Sequence, residues 1–133
     1  MPPRRLHTGK VGLDYTTEQA AELAQRIGLI LMATLRGHVG DLDKITRIVK
    51  VRPRVPRDRA PRRHVAVPAA QIVGFVNCVD DFTQQPEVIN GCSDLLGEVF
   101  GKDRGTHARS AVGTNSLPRN EPIEIEMIAE IAP

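Results

Sequence analysis

A chain of 133 residues, 41% of them hydrophobic, has apolar material for one modest core and too little for two. It has no run of about 18 apolar residues, and "MPPRRLHTGK" has no apolar centre of the kind a secretory signal needs, so neither a membrane span nor a leader is read and a cytoplasmic protein is expected. The formal charge of +2 is unevenly spread: residues 51–71 hold six arginines against one aspartate, a net of +5, which leaves −3 on the other 112.

In chain order, the first predicted element is a helix. Thr16 and Gln19 have the spacing of a capping box, and Ala20, Leu23, Ala24, Ile27, Leu31, Thr34 and Leu35 recur at helical intervals until Gly37. After the turn "GHVGDLD", the β-branched run "KITRIVKV" at 44–51 reads as a strand, and "IVGFVNCV" at 72–79 as another. Between them "VRPRVPRDRAPRRHVAVPAAQ" holds four of the ten prolines and has neither helical nor alternating periodicity. By composition it is a disordered insert at 51–71 within a single domain spanning 1–133. Its arginines could grip phosphate, but it has no aromatic residue on which a base could stack, so nucleic-acid recognition is disfavoured.

Asp81 opens a second helix, with Pro86 in its first turn, Val88, Ile89, Cys92, Leu95, Leu96, Val99 and Phe100 on the inner side, and Gly101 as its end. The strands "ARSAVGTNSL" and "PIEIEMIAEIA" follow, joined through "PRNE". In the second, Ile123, Ile125, Met127, Ala129 and Ile131 face one way, and Glu124, Glu126, Ile128 and Glu130 the other. The order α, β, α, β, β predicts an α+β sandwich with its helices on one sheet face.

The candidates for chemistry are few. Cys78 and Cys92 lie inside predicted elements without a second ligand at metal spacing, so buried reduced thiols are expected and no metal site is read. His7, His38 and His107 have no carboxylate at readable spacing and are taken as surface histidines, and His64 falls in the basic segment. Ser110 has no base in any nucleophile motif, so covalent catalysis through it is disfavoured. If the last two strands form a hairpin about 117–120, Arg109 stands across from Ile128 and Glu124 across from Gly113, both charges on one face but about 13 Å out of step. A cleft spanning both, or one completed by a neighbouring chain, would then be needed.

The stretches "GKVG", "FTQQPEVINGCSDLLGEVFG" and "HARSAVGTNSLPRNEPIEIE" resemble the Rid family of reactive intermediate deaminases, also called YjgF or endoribonuclease L-PSP, over roughly 9–50 and 72–132. The resemblance implies a chorismate-mutase-like α+β fold with two helices on one face of a mixed sheet, here missing the first two strands. It also implies a homotrimer with a small carboxylate-bearing ligand in clefts between subunits. In that reading Arg109 forks onto the ligand carboxylate, Asn90 lines the pocket, and Glu124 is the catalytic carboxylate that directs water at a 2-imino or enamine acid. Guanidinium geometry suits the first role, and an already reactive imine carbon needs only to be held and met by water, without metal or cofactor. Ala111 stands where many relatives carry a cysteine. The alternatives are a non-enzymatic ligand-binding or interaction member of the fold, and a ribonuclease of the L-PSP type.

Removing 51–71 would join "ITRIVK" to "IVGFVNCV" as one strand of the family type. The segment opens with valine, whose codons begin GT, and closes with glutamine, which CAG encodes, so it reads as a retained-intron-like insert whose length keeps the frame. The rival expectation is a regulatory loop for an acidic partner.

Overall fold

The computed structural model describes residues 6–48 and 71–132. The predicted insert lies outside the described residues except at Gln71, which is already the first residue of a strand.

Helix α1, Thr17–Val39, starts where the capping box places it: the Gln19 amide donates to Thr16 Oγ1 at 3.3 Å, and the Thr16 amide donates to Gln19 Oε1 at 3.0 Å. It runs past Gly37 and ends against Gly40, whose φ of 81° lies in the left-handed region. Strand β1, Ile45–Ile48, and strand β2, Gln71–Asn77, are the two β-branched runs. Helix α2, Gln85–Gly105, begins after Gln84 rather than at Asp81; Gly101, at φ 75° and ψ 175°, breaks the regular helix where the sequence places its end, and a further helical turn carries the chain to Gly105. Strands β3, Ala108–Thr114, and β4, Ile123–Ile131, complete the chain. The α+β architecture expected from the sequence is present, with two helices over one four-stranded mixed sheet.

The hydrogen-bonded neighbours are β1 with β4, β4 with β2 and β2 with β3. β2 and β3 are parallel, joined over α2, and β4 runs antiparallel to β2. The hairpin between β3 and β4 does not exist, because the β2–α2–β3 crossover puts β3 on one side of β2 and leaves β4 to pair on the other.

β1 and β2 share β4 in an informative way. Their registers are consecutive: Ile48 faces Ala129, and Gln71 faces Ile128. At the ends of β4, Pro122 accepts from the Asn77 amide and Ala132 donates to the Lys44 carbonyl. Both are even-numbered, and alternate residues of a regular strand direct their polar groups to the same side. β1 and β2 therefore lie end to end along one side of β4, and α2 contacts β1 as it does β2 and β3.

The helix face of the sheet carries Ile72 and Val76 of β2 with Ile123 and Ile125 of β4, all buried beneath Ala20, Leu23 and Ala24 of α1 and Val88, Ile89, Cys92, Leu95 and Leu96 of α2. The helices meet closely. A Cβ on Gly91 would stand 2.0 Å from the Ala21 carbonyl oxygen, and one on Gly28 would stand 3.2 Å from Cys92 Sγ. The fully buried Asn77 ties the N-terminal segment and the Pro118–Asn120 turn to the end of β2. Its Nδ2 donates to Asn120 Oδ1 at 3.2 Å and to the Glu121 carbonyl at 3.1 Å, and its Oδ1 accepts from Lys10 Nζ at 3.0 Å. Cys78 and Cys92 are both free and buried, as expected. No helix among the described residues is long and apolar enough to cross a membrane.

Two stability outcomes follow from this packing. Gly91→Ala should destabilise the fold by about 1–3 kcal/mol or more, because the methyl meets backbone that cannot step aside. Gly97→Ala, with open space around it, should leave the melting midpoint unchanged or raise it. Thermal melts of the two variants check this directly. The second outcome concerns pH. Burial pushes the Cys92 thiol up from its ordinary 9.0 to about 11, so the unfolded chain loses this proton first as pH rises. The stabilisation is complete below pH 9, falls progressively above it, and is lost as pH passes the folded value. About 3 kcal/mol is at stake. In melts from pH 8 to 11, Cys92→Ala should show a shallower alkaline decline than the native chain.

Candidate functional site

The face of α2 not committed to the core presents Asn90, Ser93 and Gly97, three or four residues apart, towards the start of β3. In β3 and the extended residue before it, positions 107 and 109 alternate with 108 and 110, so His107 and Arg109 turn to this same side. The connection between the two elements is tight: a Cβ on the buried Gly105 would lie 2.6 Å from the Leu96 carbonyl oxygen. The chain can therefore double back onto α2 only with glycine here, and that return sets His107 and Arg109 beside Ser93.

A cleft of about 280 Å³ results, lined by Asn90, Ser93, Thr106, His107 and Arg109 among others. Its polar groups form a chain of hydrogen bonds. His107 Nδ1 donates to the Gly105 carbonyl at 2.7 Å, since a carbonyl can only accept. In the neutral ring Nε2 is then bare and accepts from the Ser93 hydroxyl at 2.9 Å. Arg109 Nη1 donates to the same oxygen at 3.1 Å. The ion pair found among the described residues, Arg104 with Asp43 at 3.9 Å, lies elsewhere, so Arg109 has no carboxylate partner among them. Its charge is held in place by a neutral hydroxyl and is not compensated by any described carboxylate.

The structure thus brings Arg109 and Asn90 into one cleft and leaves Glu124 out of it. Glu124 pairs across from Phe75, on the exposed sheet face, whereas Arg109 pairs across from Ile72 on the helix face. The sequence reading had put both charges on one face; with β2 interposed they are on opposite faces, two strands apart. Glu126 and Glu130 are exposed with Glu124. Ser93 and His107 were missed. His107, expected at the surface for want of a carboxylate at readable spacing, is half-buried and bonded at both ring nitrogens. The available signal was periodicity: 90, 93 and 97 share a helical face, and 107 and 109 share a strand face.

No family model matches the chain. It is similar to Protein TCP17 of Trypanosoma cruzi, 32% identical over 93% of this chain, and spans 64% of the length of that curated relative. Among solved structures it is similar to a Shewanella oneidensis protein described as a "putative endoribonuclease", at a TM-score of 0.77 and 24% identity over 98% of this chain and 72% of that one. That likeness and the layout above give the chain a YjgF/L-PSP-like fold. At 35% identity and a TM-score of 0.76, over 95% of this chain and 67% of the other, it belongs to the same family as Atu1372 of Agrobacterium tumefaciens, a protein of unknown function.

Proposed function

We propose that this is a Rid-type domain that holds a small carboxylate-bearing metabolite on Arg109, in a cleft completed by a second copy of the chain within a homotrimer, and hydrolyses 2-imino or enamine acids. The observation that carries the reading is the Arg109 guanidinium: it is fixed by Ser93 Oγ, faces a cleft shared with Asn90, and has no acidic partner among the described residues. A guanidinium with free N–H groups in such a cleft matches a carboxylate in charge and in fork geometry.

With the carboxylate on Arg109, the adjacent imine carbon is exposed to attack at a defined point in the cleft. The catalytic carboxylate has to come from elsewhere, because Glu124 of the same chain lies behind the sheet. Glu124 of a neighbouring copy, exposed on its own sheet face, is the group proposed to supply it. There it accepts a proton from water as the oxygen bonds to the imine carbon. Glu124 returns that proton to the nitrogen, the hydroxyl of the resulting carbinolamine gives its own proton to the departing nitrogen as the carbon–nitrogen bond breaks, and the products are a 2-keto acid and ammonia.

Two measurements test this. Arg109→Lys keeps the charge but loses the paired contact, so affinity for a 2-keto acid in calorimetry should fall about tenfold or more. Equal affinity would remove Arg109 from the site. For the shared cleft, Arg109→Ala and Glu124→Gln chains, each inactive alone in an imine-hydrolysis assay, should regain part of the activity when dissociated and reassembled together. A mixture no better than its components would rule out a cleft that takes the two residues from different chains. If the native chain cleaved RNA and left imines untouched, the ribonuclease reading would replace this one.

A further inference from the structure

We propose that Ser93 is an activated nucleophile with His107 as its general base, and that the cleft can transfer the acyl group of small carboxylate-bearing esters to this serine and on to water. The choice of substrate rests on the carboxylate reading above, whereas the nucleophile rests on hydrogen-bond geometry alone.

Three features support it. The imidazole is locked in the tautomer a base requires, because the Gly105 carbonyl holds the proton on Nδ1 at 2.7 Å and leaves the Nε2 lone pair 2.9 Å from the Ser93 hydroxyl. The backbone carbonyl orients the ring as a carboxylate does in a three-residue arrangement. Arg109 Nη1 donates to the same oxygen at 3.1 Å and so favours the alkoxide as it develops. Finally, all three groups are set by rigid elements, Ser93 by α2 and the other two by β3 and its approach, and Ser93 lines an open cleft. Among the described residues Ser110 has no such partner.

In the reaction, Ser93 Oγ bonds to the ester carbonyl carbon while its proton passes to His107 Nε2, and the carbonyl oxygen takes the displaced electron pair. Collapse of that adduct breaks the carbon–oxygen bond to the alcohol, which leaves with the proton from Nε2. Water then attacks the acyl-serine, its proton going to Nε2, and release of the acid returns the proton to Ser93. The sum is ester plus water to acid plus alcohol.

The test is labelling of the full chain with an uncharged fluorophosphonate, which needs a reactive serine but no carboxylate site. Peptide mass spectrometry should place the adduct on Ser93. The adduct should vanish in Ser93→Ala and form at least about 100-fold more slowly in His107→Gln, the loss typical of removing a general base. Ser93→Cys guards against loss of fold: its thiol should alkylate with iodoacetamide at neutral pH, while the buried Cys78 and Cys92 stay unmodified. His107→Gln should slow that alkylation too. No adduct on Ser93 of the native chain, or an unchanged rate in His107→Gln, overturns the proposal. A second arm compares p-nitrophenyl acetate with the mono-p-nitrophenyl ester of succinic acid. If Ser93 is labelled yet Arg109→Lys does not change the preference between these esters, the nucleophile stands and the carboxylate reading falls.

Discussion

The close crossing of α1 and α2 is the constraint on which the rest depends. With Gly91 against the Ala21 carbonyl and Gly28 against Cys92, the helices approach nearer than side chains would permit, and α2 has no freedom to roll about its own axis. Its core face is thereby committed to α1 and the sheet. What remains is a narrow polar strip, Asn90, Ser93 and Gly97, aimed past the sheet towards the start of β3. The cleft is the by-product of that fixed rotation together with the return of the chain at Gly105.

Within the cleft the chemistry is set by who can donate and who can accept. A carbonyl fixes one imidazole nitrogen, the imidazole fixes the hydroxyl, and the hydroxyl receives a guanidinium that no carboxylate among the described residues neutralises. Each partner leaves the next with one defined role, so the group that faces solvent is a cation of fixed direction. The acidic row of β4 lies on the other side of the sheet, so a single copy of the chain presents these two charges on opposite faces.

The elements were legible where local chemistry decides them. The Thr16–Gln19 box marks the start of α1, the apolar spacing of α2 identifies its buried side except at Val99, which is exposed, and the alternation from Ile123 separates the two faces of β4. Asn90 and Arg109 do share a cleft. What failed was pairing: neighbours in sequence were taken as neighbours in the sheet, and the intervening β2, placed by the crossover through α2, moved Arg109 and Glu124 to opposite faces. His107 reads as a surface histidine because no carboxylate lies at readable spacing, while its partners are a backbone carbonyl and a serine 14 positions upstream. Asn77 gave no sign of its burial, since its bonding depends on three separated segments meeting at one point.

The end-to-end seating of β1 and β2 makes the molecule a pair of complementary pieces. Ile48 and Gln71 occupy neighbouring rungs on β4, as consecutive residues of one strand would, so the ladder registers a nick rather than a gap. One piece brings α1 and β1, and the other brings β2, α2, β3 and β4. The core lies between them, held by the helix crossing and the β1–β4 ladder. Two separate polypeptides divided between residues 48 and 71 would carry between them every described contact that closes the sheet.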